Sequence, residues 1–169
     1  MSSASPARVR AFIDRYGLDA DDVVPMAHLI NRTAQERALP AGSVLCDERD
    51  IADGIYLLVD GALRVQKRDA RNTYRDLAVA RAPALLGHMG MVTGRQRTAA
   101  LVADEGGAVV LHLASAAYRA LMEADDGEGD LLRRLVLGAM LDQLHRATVD
   151  VKRRLGESEA ALPAGWAST

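Results

Sequence analysis

Leu85-Leu86-Gly87-His88-Met89-Gly90-Met91, followed at Arg97-Thr98-Ala99-Ala100 by an arginine opening an apolar run, is the stretch on which the fold turns. A glycine-containing turn here leads into what reads as one helical turn. Backbone N–H groups at the start of such a turn point at an anion, and a nearby guanidinium can grip two of its oxygens in a planar fork. This arrangement can hold a phosphate. Each residue also has a plainer role. Arg97 can make an ordinary ion pair on a strand, His88 can be a hydrogen-bonded turn histidine, and Gly87 and Gly90 can simply mark backbone bends.

Upstream, Asp53-Gly54-Ile55-Tyr56-Leu57-Leu58-Val59-Asp60-Gly61-Ala62-Leu63-Arg64-Val65 contains two β-rich runs. Asp60-Gly61 between them supplies the positive φ angles of a tight hairpin turn. From Glu36 to Leu113 the pattern is one of short apolar runs separated by turn residues. They predict strands at Ser43 to Cys46, Ile55 to Val59, Leu63 to Lys67, Tyr74 to Ala80, Thr98 to Ala103 and Val109 to Leu113. Short strands at this spacing predict a mainly β fold with flanking helices, a double-stranded β-helix or jelly roll.

Taken together, these segments resemble the cyclic-nucleotide-binding domain family, which includes catabolite activators, kinase regulatory subunits and nucleotide-gated channels. The resemblance runs from about Glu36 to Leu155. It makes Gly54 and Gly61 the paired turn glycines and Gly87 to Arg97 the phosphate-binding cassette. It implies ligand contacts from Gly87, His88, Met89, Gly90, Arg97 and Thr98. In ligand-binding members a glutamate follows the cassette glycine and accepts a hydrogen bond from the ribose 2'-hydroxyl; here that residue is His88. The small residue two places later in the family is Gly90, which keeps room for the phosphate and loosens the turn. Losing a charged acceptor costs about 1.5 to 3 kcal/mol of binding.

The ends are helical in pattern. Ser5-Pro6 reads as a cap with proline at the first helical position, and Gly17 as the end of that helix. A second helix is predicted from about Asp19 to Ile30, with Pro25 as a break. Ser115 is placed to cap a short helix reaching Met122. Glu123 to Gly129 reads as an acidic hinge, and Asp130 as the cap of a long helix ending near Gly156, with Lys152, Arg153 and Arg154 in its last turn. The resulting organisation is a helical segment at 1–35, a jelly-roll domain with a short helix at 36–129, the long helix at 130–156 and a flexible tail at 157–169.

Along the long helix, Leu137, Leu141, Leu144, Thr148, Val151 and Leu155 alternate in steps of four and three, the a and d spacing of a coiled-coil seam. Leu131, Leu132, Leu135, Val136 and Met140 form a second stripe able to cover the barrel. Two apolar faces predict two partners, the barrel and a second copy in a parallel homodimer. A single barrel face absorbing both stripes is the alternative. The resemblance also suggests Thr148, a hydroxyl on this helix, as a contact to the purine.

Composition bounds the rest. Lysine and arginine total 21 against 23 acidic residues, a net charge of -2, so no global basic field draws in nucleic acid. Aromatics at 4% argue against a base-stacking surface. After Gly156 thirteen residues remain, without lysine or arginine, too few for a helix-turn-helix. Direct nucleic-acid binding is not expected. Cys46 is the single cysteine, which rules out an intrachain disulfide and is read as packed in an apolar strand. No apolar run has the length of a membrane span or the form of a secretory signal, so a cytoplasmic protein is expected. His28, His88, His112 and His145 fall in separate elements, and no paired carboxylates or activated nucleophile stand at a recognisable spacing. No enzyme activity, metal or cofactor is expected; haem would need one of these histidines or Cys46 as an axial ligand.

Two functions remain. One is a regulatory sensor that binds cAMP or cGMP and signals to an unidentified downstream protein. The other is a degenerate, ligand-free dimeric interaction module, favoured by His88.

Overall fold

The computed structural model describes residues 4–160. Its spine is a pair of long antiparallel strands, β3 (Gly54–Arg68) and β6 (Ala100–Ala114), paired from Gly54 opposite Ala114 to Gln66 opposite Ala100. Before them in the chain lie β1 (Ala34–Leu39) and β2 (Val44–Cys46), both paired with β6. Between them lie β4 (Tyr74–Arg81) and β5 (Ala84–Leu86), both paired with β3. All pairings are antiparallel, in a six-stranded sheet that does not close on itself. The expected mainly β fold with flanking helices and a long C-terminal helix is what forms.

The sequence Ile55-Tyr56-Leu57-Leu58 shows why this sheet has two apolar sides. Successive side chains on a strand point to opposite faces, so a continuous apolar run belongs in a sheet covered on both. Ile55 and Leu57 join Leu111 and Leu113 of β6 against the helices, whereas Tyr56 and Leu58 join Leu63, Leu101 and Val110 in the interior. Cys46 packs with this interior set, as expected, and burial pushes its thiol up to about 11.

Several expected boundaries are corrected. Asp60-Gly61 does not turn a hairpin. The two runs on either side of it form one strand that bends against β6, with register shifts flanking Gly61, whose φ is 75°. A β-carbon at Gly61 would overlap the carbonyl oxygen of Gly107. The positive φ is present at Gly61 but not at Asp60, and it serves a bend where two backbones meet closely. Likewise the strands expected at 98–103 and 109–113 are one strand, β6, which starts at Ala100 and leaves Thr98 and Ala99 in the bend before it. Strands β1 and β5 were not expected, because Ala34–Leu39 is charged in its middle and Ala84–Leu86 is three residues long.

Among the helices, α1 (Pro6–Tyr16) has the expected ends. Ser5 accepts a hydrogen bond from the Arg8 N–H, and Gly17 is left-handed with φ of 69°. Pro25 does not break the second helix. A short 3-10 turn at Ala20–Asp22 precedes α2 (Val23–Thr33), so Pro25 sits in the first turn, where N–H groups have no intrahelical partner. The short helix α4 spans Ser115–Glu123, with Ala114 rather than Ser115 in the cap position. The last helix, α5, spans Gly127–Ala160, starting before Asp130 and running past Gly156. Asp126 starts it by accepting the Gly129 N–H at 2.8 Å. Lys152, Arg153 and Arg154 therefore lie inside the helix, not in its last turn. Of the tail expected at 157–169, the first four residues continue α5 and the remainder lies outside the described residues.

The two apolar stripes of α5 separate as expected. Leu131, Leu132, Leu135 and Val136 are buried with α1, α2 and the sheet, and Met140 packs at their edge. Leu137, Leu141, Leu144, Val151 and Leu155 are each more than half exposed. One barrel face therefore does not absorb both stripes. Where α1 ends, the Tyr16 hydroxyl accepts the Leu85 N–H at 2.7 Å, fixing β5 and the turn after it against the helices.

Candidate functional site

The turn after β5 opens on Gly87, whose left-handed φ of 78° ends the strand and caps the six-residue helix α3 (His88–Thr93). A β-carbon at Gly87 would overlap Arg97 Nη1, so only glycine lets the guanidinium approach this closely. Arg97 Nη1 donates to the Gly87 carbonyl at 2.9 Å. Its Nη2 donates to Asp53 Oδ1 at 2.5 Å and to the Gly54 carbonyl at 2.8 Å. The guanidinium lies 5.0 Å from the Tyr56 ring centroid, and its Nε is buried without a partner among the described residues. The backbone is held as firmly: Arg97 N–H donates to Asp50 O and Arg49 N–H to Arg97 O, each at 2.8 Å.

Asp53 is thus the counter-ion of Arg97. It also accepts from the Tyr56 hydroxyl at 2.6 Å and lies 3.4 Å from His112 Nε2. Arg37 Nη2 is 2.7 Å from His112 Nδ1. A guanidinium can only donate, so Nδ1 accepts and the imidazole proton sits on Nε2, facing Asp53. Burial and the Arg37 charge hold His112 below the usual histidine pKa. Burial pushes the Asp53 carboxyl up, but the Tyr56 hydroxyl, Arg97 and His112 outweigh it and hold the carboxyl below its usual range. A depressed carboxyl contributes stability that is fully present above about pH 4 and is lost as pH falls through the folded-state value. The urea midpoint of the protein should therefore fall between about pH 5 and pH 2.5, and more shallowly in Asp53→Asn. Equal slopes in the two proteins would show that Asp53 carries no such linkage.

Between this turn, the strands and α5 lies a cavity of about 300 Å³. Gly87, His88, Met89, Gly90, Arg97 and Thr98, all singled out from the sequence, line it together. Thr148 does not; it is exposed on α5, and its hydroxyl donates to the Leu144 carbonyl at 3.0 Å. Strand residues Val65, Ala80, Leu86 and Leu101 supply apolar walls, and Ala139, Asp142, Gln143 and Arg146 of α5 form the other side. His88 is 6% exposed, and its Nε2 lies 3.1 Å from Gln143 Oε1. Burial lowers its pKa, against the opposing effect of that contact.

Asp53, Arg15, Asp142, Gln143 and Arg146 were missed in the sequence. Asp53 adjoins a quoted glycine and carried a signal, since a buried arginine needs a counter-ion. Arg15 carried none: it reaches Asp142 at 3.2 Å across 127 residues and donates to the Pro83 carbonyl. The α5 residues continue the face of Leu135 and Ala139: Asp142, Gln143 and Arg146 stand three, four and seven residues beyond Ala139, where the buried apolar stripe gives way to polar side chains. Among the described residues, no group of three or more His, Cys, Asp or Glu side chains could hold a metal, and no helix is long and apolar enough to cross a membrane.

Residues 36–125 match the sequence pattern of the family described as "Cyclic nucleotide-binding domain". No curated protein sequence gives a match. The fold is similar to a cyclic nucleotide-binding domain from Methylobacillus flagellatus, with TM-score 0.70 and 18% identity over 88% of this chain and 85% of that one. It is similar to the Thermus thermophilus catabolite activator protein, with TM-score 0.65 and 22% identity, covering 88% of this chain and 62% of that one. It is also similar to the regulatory domain of Toxoplasma gondii PKA crystallised with cAMP, with TM-score 0.58 and 17% identity over 78% of this chain and 47% of that one.

Proposed function

Because this chain belongs to the cyclic nucleotide-binding domain family, we propose that it is a non-enzymatic regulatory sensor whose cavity takes a purine cyclic nucleotide, cAMP or cGMP. The observation that carries this reading is the cavity itself: the cassette and Arg97 form one wall and α5 the other. A ligand there touches both, so it can favour one helix arrangement over another, which is what a switch requires. The cyclic phosphate meets the N–H groups of the α3 turn and the Arg97 guanidinium, whose Nε has no hydrogen-bond partner among the described residues. To turn fully to the phosphate, Arg97 must share its charge with Asp53, and His88 offers one neutral acceptor where a carboxylate would accept more strongly. Both features weaken binding. Thr148 reaches the ligand only after a rearrangement of α5 or from a second copy.

Calorimetric titration with cAMP and cGMP tests the reading. Heat at micromolar nucleotide is expected for a sensor, and silence at millimolar nucleotide removes it.

Silence would leave the second reading, a ligand-free interaction module, which has its own observation in Arg97. Three internal acceptors already hold its guanidinium. In either case Leu137, Leu141, Leu144, Thr148, Val151 and Leu155 form the seam of a parallel homodimer in the cytoplasm, and the signal passes to a downstream protein. An exposed a/d stripe of this length finds little stabilisation except against another apolar surface. Sedimentation equilibrium should give a dimer, and Leu141→Glu with Leu144→Glu a monomer; a monomeric parent protein would remove the seam.

A further inference from the structure

His88 opens α3 and Gln143, 55 residues away, stands on α5, and both line the cavity. The contact between His88 Nε2 and Gln143 Oε1, at 3.1 Å, is the one hydrogen bond from residues 84–99 to α5 among the described residues. An imidazole carrying its proton on Nε2 donates to that oxygen. The two partners differ in freedom: His88 is 6% exposed, whereas Gln143 is exposed at the rim. Next to Gln143, Asp142 is held by Arg15 at 3.2 Å and by Arg146 at 2.7 Å, which fixes this turn of α5 over the cavity.

We propose that Gln143 is a positioning residue that acts through His88. Their hydrogen bond joins two walls of the cavity and holds the cassette and α5 together with no nucleotide bound. The bridge rests on the cyclic-nucleotide reading only for the identity of what enters. A ligand in the cavity that draws His88 to itself breaks the contact, and the exposed partner, Gln143, is the one free to swing away. The contact therefore reports a competition between ligand and bridge.

Amide exchange on the full chain without nucleotide tests this. Gln143→Leu keeps helix propensity and removes the acceptor, whereas Gln143→Glu keeps an acceptor for the His88 N–H. Gln143→Leu should speed exchange about threefold to tenfold, the range of one net hydrogen bond, at residues 88–93 and residues 139–146 together. Gln143→Glu should exchange as the parent does, and His88→Ala combined with Gln143→Leu should add little to either change alone. A purely local role for Gln143 would not move the amides of α3. Unchanged exchange at residues 88–93 in Gln143→Leu, failure of Gln143→Glu to restore it, or additive effects in the double variant would overturn the bridge. Calorimetric silence toward cyclic nucleotides would remove the sensor and leave this exchange pattern intact.

Discussion

Glutamate in place of His88 is expected to tighten binding of cAMP or cGMP about 10-fold to 150-fold, the equivalent of roughly 1.5 to 3 kcal/mol for a charged acceptor. Residue 88 opens α3 and lines the cavity beside Gly87 and Arg97, where a carboxylate can accept a ribose hydroxyl. The first turn of a helix also favours a negative side chain there. The Gln143 amide stands opposite and can turn its N–H group toward the new carboxylate, so the substitution does not leave a buried charge alone. Calorimetry with cAMP and 2'-deoxy-cAMP reads the effect: the gain should appear for the first and be absent for the second. An equal gain for both would mean that residue 88 does not meet the sugar, and no gain for either would sink its role in binding.

Leu135→Ala is expected to cost about 2 to 5 kcal/mol of unfolding free energy, because it removes a buried side chain and leaves a cavity that its neighbours only partly fill. Leu135 of α5 is 1% exposed and packs within the cluster that includes Phe12, Met26, Leu57 and Leu111, so five elements meet there. Leu141, less than two turns further on, is 58% exposed. Leu141→Ala in dilute protein should stay within about 0.5 kcal/mol of the parent. Urea unfolding of the two variants separates the stripe that holds the helix to the sheet from the stripe left for a second copy. Similar losses for both would mean that the two faces are not distinct.

Much of the fold could be read locally. Ile55 to Leu58 form a continuous apolar run, which places a strand in a doubly covered sheet whatever its neighbours are. The a and d spacing on the last helix predicted two faces, and both are present. The errors share one cause. Asp60-Gly61 has the composition of a hairpin turn, yet it bends a strand, because its conformation is set by Gly107 on β6 rather than by its own neighbours. Pro25 was read as a break without knowing that the helix starts at Val23.

The candidate site divides in the same way. Gly87 to Gly90, Arg97 and Thr98 were found from the sequence because the groups that would face a phosphate lie close together in the chain. By themselves these residues determined that a glycine turn opening a short helix would stand near an arginine. Only the tertiary structure decided that Asp53 engages the Arg97 charge, that Arg15 and Asp142 meet beside the cavity, that Gln143 reaches His88 and that Thr148 stands outside the lining. Spacing along one strand or helix constrains side chains within a few residues of each other. An ion pair across 127 residues depends on how β5 and two helices pack, and nothing in the local sequence carries that information.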